Sequence, residues 1–115
     1  MSDLKGLTDK IIKFRDDRDW LQFHNPKDMA LSLCLEAAEL LEHFQWKTPD
    51  QVELHLQTHK EDIADELADV ACYLLELSAN LGIDLSQAVE AKLEKNALKY
   101  PIEKSKGRIT KYNQL

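Results

Sequence analysis

Residues 61–77 read EDIADELADVACYLLEL, and this stretch decides the fold. Its apolar residues recur at steps of three and four: Ile63, Leu67, Val70, Leu74 and Leu77, with Leu81 continuing the series. Such spacing is the period of an α-helix that buries one face. We therefore predict a long amphipathic helix that stops at Gly82, because glycine is typical of helix C-termini.

Carboxylates border the apolar face of this helix. Glu66 and Asp69 are three residues apart and project from neighbouring turns, about 5–6 Å apart at Cβ. A similar pair, Glu36 and Glu39, borders a second apolar seam within residues 33–44. Paired acids repel each other and resist desolvation, so a compensating cation is expected, and oxygen ligands favour Mg²⁺ or Mn²⁺ over zinc. Acidic pairs also occur on solvated helix faces, so spacing alone leaves both interpretations open.

Composition favours one all-α domain spanning residues 1–115, with a less regular tail over about 102–115. Glycine and proline are scarce, at three each. A chain of this length builds a modest core that is marginally stable alone. The net charge of −6 argues against a nucleic-acid polymer as partner. No secretory signal or apolar run of about 18 residues is present, so we expect a cytoplasmic protein without membrane contact.

Local signals place the other helices. An apolar stripe from Leu4 to Phe14 predicts the first helix, and the charged run 15–19 ends it. Asn25 and Pro26 begin a second helix that runs to about residue 44, because asparagine caps helices well and proline suits their first position. The two cysteines, at positions 34 and 72, have no metal-binding spacing and are expected to be buried thiols.

Two further helices follow the second. Thr48 and Gln51 form a capping-box pattern for a short helix over about 49–58. Asp84 caps a last helix that reaches about Tyr100, since Pro101 prevents continuation. Short connections then predict a four-to-five-helix antiparallel bundle.

Two segments outside the acidic pairs can contact a ligand. The linker 20–24 carries Trp20, Phe23 and His24, which either plug the end of the bundle or stack against a flat base. On the last helix Lys92, Asn96 and Lys99 align at i, i+4 and i+7. They form either an ordinary solvated face or a site for phosphate oxygens.

Other metal sites are disfavoured by the histidine positions. A carboxylate-bridged di-iron bundle needs Glu-x-x-His on two helices. None of the four histidines has a glutamate three places before it. We expect His55, His59 and Glu53 to be solvated.

Four motifs together carry a resemblance that covers about residues 7–113. They are Arg18-Asp19-Trp20-x-x-Phe23-His24-x-Pro26, Glu36-x-x-Glu39 followed by Phe44-Gln45-Trp46-Lys47, Asp65-Glu66-Leu67-Ala68-Asp69-Val70 with Tyr73, and Lys92-x-x-x-Asn96-x-x-Lys99-Tyr100-Pro101. The ordered set resembles the MazG-type all-α nucleoside triphosphate pyrophosphohydrolases, and within them the dCTP pyrophosphatase branch.

The resemblance implies a homo-oligomer, a dimer or a dimer of dimers, that completes its core by assembly and hydrolyses a nucleoside triphosphate with Mg²⁺, or with Mn²⁺ in its place. The implied metal ligands are Glu36, Glu39, Glu66 and Asp69. The implied substrate contacts are Trp20, Phe23, His24, Trp46 and Tyr73 around the base and sugar, and Lys92, Asn96, Lys99 and Tyr100 at the phosphates. Glu39 is our candidate for the residue that activates water.

Two departures from the family pattern concern base preference and the first acidic motif. Ile11 stands where relatives carry a polar or histidine residue, and Leu35 precedes Glu36 where the longer motif has an acid. The alternative function is a non-catalytic helical interaction module. A redox or metal-storage bundle is a third interpretation, and it predicts bound iron.

Overall fold

The computed structural model describes residues 3–115, and all regular secondary structure in that range is helical. The α-helices are α1 (Leu4–Asp17), α2 (Pro26–Glu42), α3 (Pro49–Thr58), α4 (Lys60–Asn80), α5 (Leu85–Lys99) and α6 (Ile102–Ser105), and 3₁₀ turns span Leu21–Phe23 and Tyr112–Gln114. The all-α prediction is confirmed. Within residues 3–115 we find no helix that combines the length and apolarity needed to cross a bilayer.

The predicted helix starts are confirmed by their caps. The Asn25 side chain accepts from the Asp28 backbone N–H at 2.9 Å, and Pro26 is the first residue of α2. Thr48 and Gln51 bond each other reciprocally at the start of α3, as a capping box does. These bonds satisfy backbone N–H groups that a helix start leaves unpaired, which is why the local sequence identifies the starts well.

One helix end differs from prediction. Helix α1 ends at Asp17, inside the charged run as predicted, whereas α2 stops at Glu42 before a turn over residues 43–46. Trp46 takes φ 65° in that turn, a left-handed conformation that breaks the helical path. The tail also contains short helical segments, α6 and the second 3₁₀ turn.

The chain forms two compact units, one ending at Gly82 and one beginning at Ile83. In the first unit α4 packs against α1, α2 and α3. His24, just before α2, contacts Glu76 late in α4, whereas Glu39, late in α2, lies beside Glu66 early in α4. These contacts show that α2 and α4 are antiparallel. That one domain spans residues 1–115 stays a prediction.

The core of the first unit is small. Among the described residues the buried apolar side chains are Met29, Ile63 and Leu75. Large apolar residues on α2 and α4 remain exposed, including Leu35 at 58% and Leu67 at 53%. The prediction of buried thiols is wrong, because Cys34 and Cys72 lie on faces of α2 and α4 that this single chain leaves exposed.

Candidate active site

Antiparallel packing of α2 and α4 brings three of the four predicted metal ligands together. One carboxylate oxygen each from Glu36, Glu39 and Glu66 lies within 4.8 Å of the other two. Glu36 and Glu66 are half-buried, and Glu39 is exposed. Asp69, one turn beyond Glu66, lies outside this set, yet its charge contributes to raising the pKa of both half-buried acids.

Burial and mutual repulsion perturb the acids of this cluster. Burial, and next the neighbouring acids with Glu39 foremost, together raise the pKa of Glu36 to about 7. Burial also raises the pKa of Glu66, with the charge of Glu39 the next cause. Without a cation the cluster therefore retains a proton near neutral pH.

Two oxygen atoms of the cluster lack a hydrogen-bond donor. Glu36 Oε2 and Glu66 Oε2 are buried and have no hydrogen-bond partner among the described residues. Their neighbours are other carboxylates, which only accept hydrogen bonds while ionised. Oxygens sharing one Mg²⁺ lie about 2.0–2.1 Å from it, hence no more than about 4 Å apart. The donor set fits such an ion after a closure of less than about 1 Å.

A cavity of about 630 Å³ adjoins Asp69 in the first unit. Trp20, His24 and Tyr73, three of the predicted substrate contacts, line it. Ile11 also lines the wall. The volume lies within the usual range for small-molecule sites, about 300–1,000 Å³.

The Trp20 ring is held by aromatic contacts. Phe14 meets it edge-on, with ring centroids 5.9 Å apart, and the Arg18 guanidinium lies 3.6 Å from the Phe14 centroid. Trp20 remains 42% exposed, so part of its surface is free to contact a ligand. An oriented indole in a cavity that Asp69 also lines suits a base attached to phosphates.

Comparison with known proteins identifies the family. Residues 31–115 match the MazG-like family. The chain belongs to that family.

Individual proteins with known names are also similar to this MazG-like chain. The dCTP pyrophosphatase 1 of Mus musculus is 41% identical over 105 residues, which cover 90% of this chain and 62% of that protein. The Homo sapiens protein of the same name is 38% identical over the same extent. This chain therefore spans about three fifths of the length of these curated relatives. A solved structure of a pyrophosphatase from Archaeoglobus fulgidus DSM 4304 is 42% identical, with a TM-score of 0.82 over 88% of this chain and 94% of that one.

Some other residues predicted for the MazG-like site do not line the cavity of the first unit, and the rest belong to the second unit. Phe23 is 63% exposed and Trp46 is 92% exposed, and neither lines the cavity. Lys92, Asn96, Lys99 and Tyr100 belong to the second unit. There the Lys99 ammonium lies 4.8 Å from the Tyr112 ring centroid, and Tyr100 meets Tyr112 edge-on. The roles of these residues stay predictions.

The sequence interpretation missed a cluster of three histidines near Glu39 and Glu66. His43 Nδ1 lies 2.8 Å from His55 Nε2, and the His55 ring stacks on His59 at 4.2 Å. Burial, and next the charge of His59, lower the pKa of His55. His55 is thus half-buried rather than solvated, whereas His59 is exposed as expected.

This cluster borders the metal-ligand candidates. A cavity of about 350 Å³ is lined by Glu39, Glu42, His43, His55 and Glu66. The i,i+4 spacing of His55 and His59 was the available signal, since it places both rings on one face of α3. Contact with His43 depends on how α3 folds back beside the end of α2, which local spacing does not specify.

Proposed function

We propose that this MazG-like chain is a nucleoside triphosphate pyrophosphohydrolase that uses Mg²⁺, with Mn²⁺ as a possible substitute. Its substrate is dCTP or a related or modified deoxynucleotide, and its products are the monophosphate and pyrophosphate. The names of the relatives support the reaction class. The observation that carries the proposal is the meeting of Glu36, Glu39 and Glu66, with two donor-less oxygens, in the unit that holds an aromatic-lined cavity.

Charge explains why the acids suit this reaction. A triphosphate carries about four negative charges, which an acidic site repels unless cations intervene. When bound by Glu36, Glu39, Glu66 and Asp69, Mg²⁺ supplies positive charge that neutralises the leaving pyrophosphate and polarises the α-phosphoryl group. Trp20 and Tyr73 orient the base, and His24 presents a polar edge beside them.

Glu39 accepts the proton of the attacking water. It is the exposed member of the cluster, so water reaches its carboxylate, whereas Glu36 and Glu66 are half-buried. The water oxygen forms a bond to the α-phosphorus, and the bond from that phosphorus to the bridging oxygen breaks. The electron pair leaves with pyrophosphate, and the water proton goes to Glu39.

Assembly forms part of the proposal. The single chain leaves much of the apolar surface of α2 and α4 uncovered, with Leu31 at 56% and Leu41 at 55% exposure. Exposed apolar surface of this extent favours association. We propose a homo-oligomer, a dimer or a dimer of dimers, that covers these faces and brings Phe23, Trp46 and the polar residues of α5 to the substrate.

Pyrophosphate release is the decisive measurement for the function. The purified chain is expected to release pyrophosphate from dCTP or a modified deoxynucleotide only with Mg²⁺ or Mn²⁺, and excess chelator should abolish release. A panel of ribo- and deoxynucleotides identifies the base and sugar preference. If the folded protein releases no pyrophosphate from any nucleotide with either metal, the enzyme proposal is wrong and the non-catalytic interaction module replaces it.

Replacing Trp20 by alanine is expected to raise the Michaelis constant about 5- to 160-fold, because base stacking contributes about 1–3 kcal/mol. The turnover number should change little, since the ring does not touch the reacting phosphorus in this mechanism. Trp20→Phe retains an aromatic face and serves as the control, with a smaller increase. Steady-state kinetics of Trp46→Ala test the second indole, and an unchanged Michaelis constant in either alanine variant removes that residue from the pocket.

A further inference from the structure

Glu76 on α4 is a buried acid that the mechanism above does not use. It is 3% exposed, and three nitrogens approach its Oε2 atom. His24 Nδ1 lies at 2.7 Å, Asn80 Nδ2 at 3.1 Å and Arg15 Nη1 at 3.5 Å. Arg15 also donates to Asn80 Oδ1 at 2.9 Å, so the four side chains form one connected network.

The charged groups of this network are largely buried. Arg15 is 6% exposed, and its remaining contacts go to Asp16, whose side chain is half exposed. Burying a carboxylate and a guanidinium costs free energy that burying an apolar pair does not. Such a network therefore adds little to the free energy of unfolding. Arg15, His24 and Glu76 all line the cavity of about 630 Å³, and the His24 imidazole is the most exposed of these three side chains, at 20% against 7% and 4%.

The contact with Glu76 determines which nitrogen of His24 carries the proton. A carboxylate oxygen accepts hydrogen bonds, so His24 Nδ1 must donate. In the neutral ring Nε2 is then an acceptor, and it is the ring nitrogen left for a ligand in the cavity. His24 sits between a 3₁₀ turn and the N-cap of α2, and Glu76 ties this linker to the central helix.

We propose that Glu76, supported by Asn80 and Arg15, is a positioning residue that holds His24 in the Nδ1-protonated form. His24 Nε2 then accepts a hydrogen bond from an amino or hydroxyl group of the nucleotide. That the donor belongs to a nucleotide rests on the proposed function, whereas the protonation of His24 on Nδ1 does not. A buried acceptor of this kind discriminates against ligands that lack the donor, because an unpaired polar group is costly.

Glu76→Leu tests the positioning directly. Leucine removes the oxygen that accepts from Nδ1, so the ring proton can move to Nε2 and turn that acceptor into a donor. We expect kcat/KM to fall about 5- to 160-fold, the cost of one unsatisfied hydrogen bond in a buried site. Nitrogen-15 NMR of the histidine rings should show the His24 proton on Nδ1 in the wild type and on Nε2 in the variant. Asp16→Asn, which removes the other acid beside Arg15, should leave both readouts unchanged.

A double-mutant cycle separates positioning from general stability. His24→Gln should lose as much kcat/KM as Glu76→Leu, and the double variant should lose no more. A further loss when Glu76→Leu is added to His24→Gln would overturn the proposal, as would wild-type His24 protonated on Nε2. The wild-type spectrum decides this even if Glu76→Leu fails to fold.

Analogues identify the donor on the nucleotide. The N4,N4-dimethyl derivative of dCTP lacks the amino donor, and 2′,3′-dideoxycytidine triphosphate lacks the 3′-hydroxyl. The analogue missing the relevant donor should be insensitive to Glu76→Leu, and equal losses for dCTP and both analogues would overturn the acceptor role. If the wild type releases no pyrophosphate at all, the proposed function fails, and the NMR measurement still decides the tautomer.

Discussion

Glu39→Gln is expected to reduce pyrophosphate release about 10²- to 10⁴-fold, the usual range for losing a general base. The substitution keeps the shape of the side chain and removes one charge from a cluster whose oxygens lie within 4.8 Å. Glu39 is exposed on α2, so no core packing is lost and helical content should not change. Activity at saturating Mg²⁺ and far-ultraviolet circular dichroism measure the two quantities.

A matched substitution shows whether the loss is specific. Glu53→Gln makes the same chemical change on the exposed surface of α3 and should retain wild-type activity. Asp69→Asn should lose activity like Glu39→Gln if Asp69 joins the ligands, although it lies outside the 4.8 Å set in this structure. Wild-type turnover in Glu39→Gln would refute the assignment of both ligand and base.

Helix starts were predictable from the sequence because their signals are local. Asn25 and Thr48 bond backbone groups within three residues, so the residues that cause each start are adjacent in sequence. The end of α2 has no such signal, since the helical pattern runs on toward Phe44 without glycine or proline. In this turn His43 contacts His55 of α3, which is 12 residues further along the chain.

The candidate site was predictable to the same extent. Acids beside an apolar seam mark positions that packing drives together, so Glu36 and Glu66 were found from spacing. Glu76 was not, because a polar residue in a helical pattern is assigned to the surface unless its partner is known. Its partner His24 is 52 residues away. The position of Asp69 relative to the three glutamates depends on how far α4 is rotated about its own axis. The spacing of apolar residues specifies that rotation only approximately.

The metal-free protein is expected to lose stability as pH rises from about 4.5 to about 7. Glu36 has an ordinary pKa of 4.5 and a pKa of about 7 in the folded chain, mainly because it is buried. Between these values the folded state binds more protons than the unfolded state, so the free energy of unfolding falls with rising pH. The stabilising contribution is complete below about pH 4.5 and is lost as pH passes about 7. Glu66, whose pKa is also raised, acts in the same direction.

Magnesium should reverse this loss, since a bound cation replaces the proton as the compensating charge. At a Mg²⁺ concentration about 100 times its dissociation constant, binding adds about 2.7 kcal/mol and raises the melting temperature by about 10 °C. The increase should be larger at pH 8 than at pH 5, where protons compete for the carboxylates. Glu36→Gln imitates the protonated acid, so without metal it should melt near the wild type at pH 5 and above it at pH 8. An equal Mg²⁺-induced increase in Glu36→Gln and wild type would show that the ion binds elsewhere, because a neutral amide cannot replace the charge that Glu36 contributes.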